Sequence, residues 1–88
     1  MSFKIIPLKP FKKFYKSRNK KEKIVIDAKF EILKKDPYDY DNLNIKKLAG
    51  YENRYRLRIN NYRIIYEVYN IDLIIVVADG GNRGDIYK

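Results

Sequence analysis

Arginines dominate the residues of this chain that could do chemistry. Arg54, Arg56 and Arg58 alternate with Tyr55, Leu57 and Ile59, and Arg63 follows after Asn60-Asn61-Tyr62. Arg83 lies in a glycine-bearing segment, Asp79-Gly80-Gly81-Asn82-Arg83-Gly84, with Tyr87 shortly after it. A guanidinium stays charged in proteins and presents five N–H donors in a planar fork, so clustered arginines fit phosphates and other polyanions. The chain has no histidine and no cysteine. That excludes the usual general base, thiolate nucleophiles, disulfides and Cys-type zinc sites. Asp36, Asp39 and Asp41 lack the ligand order and glycine of a calcium loop and read as a turn. We therefore expect no metal and no cofactor.

The elements that must position these arginines follow from periodicity. Residues 54–59 alternate without a miss, which means a strand with one buried face. Asn60-Asn61 suits a two-residue hairpin turn, because asparagine tolerates the left-handed backbone such turns need. Counting outward, Ile59 faces Tyr62, Arg58 faces Arg63, Leu57 faces Ile64, Arg56 faces Ile65, Tyr55 faces Tyr66 and Arg54 faces Glu67. Tyr55, Leu57, Ile59, Tyr62, Ile64 and Tyr66 then make a core face, and the arginines take the other. Arg54 opposite Glu67 is ordinary charge matching. Arg58 opposite Arg63 is not, since like charges across a ladder destabilise it. A solvated strand face would account for any one arginine. The cluster points to a polyanion site.

The remaining elements are predicted as follows. Phe3 to Leu8 reads as a short strand. Lys9-Pro10 opens a helix whose Phe11, Phe14 and Tyr15 form an inward stripe. Ser17-Arg18-Asn19 is a break. A longer helix spans about Lys20 to Lys35, with Ile26, Phe30 and Leu33 as its stripe and Ile24, Ala28 and Ile32 widening it. Asp36-Pro37 ends it, because the residue before proline resists the helical region. The lysines of both helices form a solvated face. Tyr38 to Asn53 is a connector anchored by Leu43, Ile45 and Leu48. After the hairpin and a turn at Asn70 to Asp72, Leu73 to Ala78 is an apolar β-branched run, predicted to be a strand buried on both faces, with a glycine loop after it. The order strand, helix, helix, strand, strand, strand predicts an α+β fold: a four-stranded antiparallel sheet with both helices on one face and the arginines on the open one.

At 88 residues, 45% hydrophobic and 35% charged, the chain suits one small soluble domain over residues 1–88. Its formal charge of +9 points to nucleic acid, an acidic protein or an anionic membrane surface as partner. No stretch is long enough to span a membrane and no signal peptide is visible, so a cytoplasmic setting is expected.

Lys47-Leu48-Ala49-Gly50-Tyr51-Glu52-Asn53, then Tyr55-Arg56-Leu57-Arg58 and Tyr62-Arg63-Ile64-Ile65-Tyr66-Glu67, resembles the RelE/ParE superfamily of toxins from type II toxin–antitoxin systems. Asn82-Arg83-Gly84-Asp85-Ile86-Tyr87-Lys88 is similar to that family's C-terminal signature. The resemblance to the RelE branch implies a metal-independent endoribonuclease, an mRNA interferase that cuts messenger RNA in the ribosomal A site. It also implies an antitoxin partner, expected to be acidic given the charge of this chain. It assigns the site to Arg56, Arg58, Arg63, Arg83 and Tyr87. Well-known branch members carry lysines at the two strand positions, and many relatives have histidine where this chain has Asn82. Two other functions remain open: a ParE-like DNA gyrase inhibitor, and a basic RNA-binding module without catalysis.

Overall fold

A computed structural model of the chain describes residues 2–82, so the predicted site residues Arg83 and Tyr87 lie outside the described residues. The elements run β1 (Lys4–Pro7), α1 (Lys9–Lys16), α2 (Lys20–Lys35), β2 (Asn44–Lys47), β3 (Arg54–Ile59), β4 (Tyr62–Tyr69) and β5 (Ile74–Asn82). The sheet has five strands in the order β1-β5-β4-β3-β2. The expected four-stranded antiparallel sheet is therefore corrected in two respects. The stretch predicted as a connector contains a strand, β2, paired antiparallel to β3. The first strand does join the last, as expected, but β1 and β5 run parallel. One cause explains both. Strand directions alternate along the chain here, so adding a fifth strand reverses the parity of the count and gives the first and last the same direction.

Both helices form where predicted. Pro10 sits in the first turn of α1, and Phe11 and Phe14 bury on its inner face. Asn19 caps α2: its side chain accepts from Glu22 N at 2.8 Å while Glu22 Oε1 accepts from Asn19 N at 3.1 Å. Such a box satisfies two orphan donors reciprocally and is worth about 1 kcal/mol. Ile26, Phe30 and Leu33 are buried, as read from the stripe. Ile24 and Ala28 are not. Both are exposed; Ile32 does widen the stripe, as expected, and Val25 joins it.

The core lies between the helices and one face of the sheet. Leu57, Ile64, Tyr66, Val68, Ile75 and Val77 meet the helix stripe in one cluster. Tyr66 is fully buried, and its hydroxyl donates to Pro37 O at 2.8 Å, tying the α2 exit to the middle of the sheet. Asp36 and Asp39 act in turns, as read. Asp36 Oδ1 accepts from Tyr38 N, and Asp39 binds both nitrogens of Asn42.

β5 departs from expectation at both ends. Leu73 takes a left-handed φ of 53° in the turn, so the strand starts at Ile74. It then runs through the glycines to Asn82 instead of stopping at Ala78, with a register shift opposite Ile65/Tyr66. Nor is it buried on both faces: Ile75 and Val77 are buried, while Ile74, Val76 and Ala78 are half-buried. Gly80 is needed where β5 crosses α1. A Cβ there would lie 2.6 Å from a Phe14 ring carbon, well inside contact distance. Among the described residues, no helix is long and apolar enough to cross a membrane.

Candidate functional site

The β3–β4 hairpin takes the register counted from its sequence, pair for pair. Asn60 has a φ of 51° and Asn61 is not left-handed, so the turn follows the pattern with only its first central residue at positive φ. Arg58 and Arg63 are thus directly opposed, and Arg56 shares their face. β2 adds a cation that the sequence reading assigned to the connector: Lys46 lies opposite Arg56, and Asn44 opposite Arg58. Alternation of buried Leu43 and Ile45 with polar neighbours was the signal for this strand, but it spans too few residues to stand out. The β2–β3 loop is closed by Gly50, at a φ of 84°.

Arg56, Arg58, Arg63 and Lys46 therefore sit on the sheet face turned away from the helices, within four ladder pairs of the turn. Their exposure is graded. Arg58 is open to solvent and Arg56 half-buried, whereas Arg63 is 7% exposed. Depth gives Arg63 a fixed position, and desolvation strengthens its field. The open face is not wholly basic. Ile65 is buried on it, and Ile6, Ile74 and Val76 are half-buried beside it. Charge is denser on β2, β3 and the turn end of β4; β1 and β5 present mostly apolar side chains there, with the exposed Lys4 opposite Ile74. The β5 register sets Gly81 opposite Arg63 and Asn82 opposite Tyr62. The residue just before Arg83 is thereby placed beside the turn end of the hairpin.

A recess of about 460 Å³ opens next to Arg58, with Lys29, Tyr40, Asn42 and Asn44 in its wall. Arg18, read from the sequence as part of a break, braces the same end from the other side. Its guanidinium lies 4.6 Å from the Phe14 ring centre and 4.9 Å from that of Tyr62. It also donates to Phe14 O at 3.2 Å and Ser17 Oγ at 2.9 Å. These contacts make it a clamp between α1 and the residue that ends the turn.

A second feature lies on the helix side. A groove of about 1000 Å³ runs between β1, α1 and α2 over Ile5, Pro7, Phe11 and Phe30. Lys12, Lys16 and Lys34 stand along it. Within it the Tyr15 hydroxyl donates to both Asp27 oxygens, at 2.9 and 3.1 Å, and that bond raises the tyrosine pKa.

Residues 8–84 match the family described as the ParE toxin of type II toxin–antitoxin systems, parDE. The chain is 36% identical to the toxin named RelE1 of Methanocaldococcus jannaschii over 81 residues, 92% of this chain and 86% of that one. The fold is similar to that in the crystal structure of the archaeal RelE–RelB complex from Pyrococcus horikoshii OT3. The TM-score is 0.84 at 26% identity, covering 97% of this chain and 99% of the other. The RelB–RelE antitoxin–toxin complex from Methanococcus jannaschii gives 0.78 at 30% identity, covering 94% and 95%. With the pattern of the hairpin, these matches establish that the chain belongs to the RelE/ParE superfamily of type II toxin–antitoxin toxins, in its RelE branch.

Proposed function

We propose that this toxin is a metal-independent endoribonuclease that cuts messenger RNA in the ribosomal A site of the cytoplasm and so stops translation. The observation that carries the reading is the opposed pair Arg58 and Arg63, with Arg56 and Lys46 beside it on one face of a rigid sheet. A fold gains nothing from opposed cations, but a bound phosphate does. In the reaction, the 2′-oxygen of a nucleotide forms a bond to the adjacent phosphorus as it loses its proton. The bond from phosphorus to the 5′-oxygen breaks, and that oxygen takes up a proton. Arg56, Arg58 and Arg63 would stabilise the charge that builds on the phosphoryl oxygens, where preorganised donors are worth most. The family resemblance adds Arg83 to that set. It gives Tyr87 the stacking or proton-transfer role, and a base role would require its pKa to fall from about 10. With no histidine in the chain, catalysis leans on positioning, and the ribosome supplies part of the alignment.

The partner on this reading is an antitoxin. Both archaeal structures named above are toxin–antitoxin complexes. The apolar groove bordered by lysines suits a segment that is itself apolar on one side and acidic on the other, and such a complex weakens with salt. The match to a ParE family favours one second reading, inhibition of DNA gyrase without RNA cleavage. Expression of the toxin in growing cells separates the two. Cuts in translated messages, mapped by primer extension, support the nuclease; a DNA-damage response with intact messages supports the gyrase reading. Growth without defect refutes both.

A further inference from the structure

The end of the open face away from the turn carries a different set of groups, and what it binds rests on the RNA reading above. Tyr51, Arg54, Glu67 and Tyr69 form one connected cluster there. The Arg54 guanidinium carbon lies 5.0 Å from the Tyr51 ring centre. Its Nε is 3.5 Å from Glu67 Oε2, and the Tyr69 hydroxyl donates to Glu67 Oε1 at 3.2 Å. Arg54 and Glu67 are ladder partners, and Tyr69 shares the face of Glu67 by strand alternation. Both tyrosines are open, Tyr51 at 52% exposure and Tyr69 at 42%. By contrast, Tyr55 and Tyr66 on the core face are buried.

Charge decides what such a cluster can take. Glu67 pairs with Arg54 beside the two aromatic rings, whereas Arg58 and Lys46 toward the other end stand exposed. A phosphate gains little beside Arg54 and much beside Arg58. A flat, neutral ring system gains at Tyr51 and Tyr69. Single-stranded nucleic acid carries both needs on one chain, charged phosphates and flat bases. The distance suits it too: Arg58 and Arg54 are four residues apart on one strand, about 13 Å, a span of a few nucleotides.

We propose that Tyr51 and Tyr69 form a base-stacking platform for single-stranded RNA, receiving a base a few nucleotides from the phosphate held at Arg58 and Arg63. Arg54 and Glu67 are positioning residues that hold the two rings. The platform gives affinity without reading sequence through hydrogen bonds, since every base has a stacking face.

The test uses the full-length toxin and an eight-nucleotide 2′-O-methyl RNA, which it cannot cut, with 2-aminopurine placed at each position in turn. Fluorescence is followed at low salt, where so basic a protein holds RNA. One or two positions are expected to be quenched by stacking. Tyr51→Ala and Tyr69→Ala should relieve that quench and weaken binding by about 5- to 150-fold each. Tyr51→Phe should keep both. Tyr51→Leu, which retains an apolar side chain but no ring, should behave like Tyr51→Ala. The slope of log affinity against log salt should be unchanged in the tyrosine variants and fall by about 0.7 in Arg58→Thr, which loses one phosphate contact. If Tyr51→Leu and Tyr69→Ala bind with wild-type affinity and quench while Arg58→Thr is weakened, the platform is wrong and the nuclease reading stands. If the tyrosine variants instead lose antitoxin and keep RNA, the cluster belongs to the protein partner and the platform is equally wrong. Cutting of ordinary messages on ribosomes is scored separately and bears on the nuclease reading alone.

Discussion

Replacing Arg58 by threonine tests the site and the fold together. In the observed register Arg58 and Arg63 are cross-strand partners, with Cβ atoms about 4.5–5.5 Å apart. Two unit charges about 6 Å apart repel by about 0.7 kcal/mol in water, and by about 3 kcal/mol at an effective dielectric constant of 20. Arg58 is exposed and Arg63 nearly buried, so the lower value is the better guide. Threonine is a good strand former at this position. Arg58→Thr should therefore leave stability unchanged or raise it by up to about 1 kcal/mol, a gain of at most about 4–8 °C for a domain this small. Its toxicity in cells should fall at the same time. Sulfate or a short RNA should raise the melting temperature of the wild type more than that of the variant, because the anion relieves the opposed charges only where both are present. Melting curves of the two proteins, with and without anion, give all four numbers. A variant that melts clearly lower, or equal anion increments for both, would refute the phosphate placement and make the pair structural.

Three further outcomes are expected. Arg83→Ala should reduce message cutting by orders of magnitude at unchanged melting temperature, as read by primer extension; wild-type cutting would remove Arg83 from the site. Gly80→Ala should cost about 1–3 kcal/mol by overpacking, since its Cβ would press on the buried Phe14 ring, and Phe14→Leu in the same chain should recover part of that loss in denaturant melts. Tyr66→Phe should cost about 1–3 kcal/mol by leaving Pro37 O unsatisfied. Burial holds the Tyr66 hydroxyl far above the ordinary tyrosine range. The unfolded chain therefore releases that proton first: stability from Tyr66 is complete below about pH 10 and falls as pH rises beyond it. Unfolding free energy followed from pH 9 to 11 should show a steeper decline in the wild type than in Tyr66→Phe.

What could be read in the sequence divides along physical lines. The hairpin was legible because three independent constraints agree at each position: period-two alternation, a turn of the right length and a core that accepts only one face. A one-residue slip would have put Arg56 and Arg58 in the core, so the register had one solution. The helices were legible from their stripes, and their ends from Pro10, Asn19 and Pro37. β2 was not, because four residues with one buried side chain, Ile45, carry too little periodicity to stand apart from a loop. The strand exists because β3 leaves an edge that Asn44–Lys47 can pair with, a tertiary cause whose local signature is only the short alternation of Leu43 and Ile45. Missing it had a cost in topology, since sheet direction depends on the parity of the strand count. It also had a cost in chemistry, since it left Lys46 out of the site.

The same contrast explains why the glycine segment was misread as a loop. Glycine in a strand weakens it and usually marks a close approach or a bulge, and both are present here. The register shift opposite Ile65/Tyr66 falls just before Asp79, and Gly80 lets the strand pass against Phe14. These two features carry β5 past the bulge to the turn end of the hairpin, so that Asn82 lies across from Tyr62 and next to the clamp made by Arg18. The loop reading would have ended the strand at Ala78, opposite the middle of β4, and left Asn82 away from the turn end of the hairpin. The glycines thus act through their lack of side chains. They lengthen a strand where a larger residue would have stopped it, and they lead it to the end of the open face where Arg58 and Arg63 stand opposed.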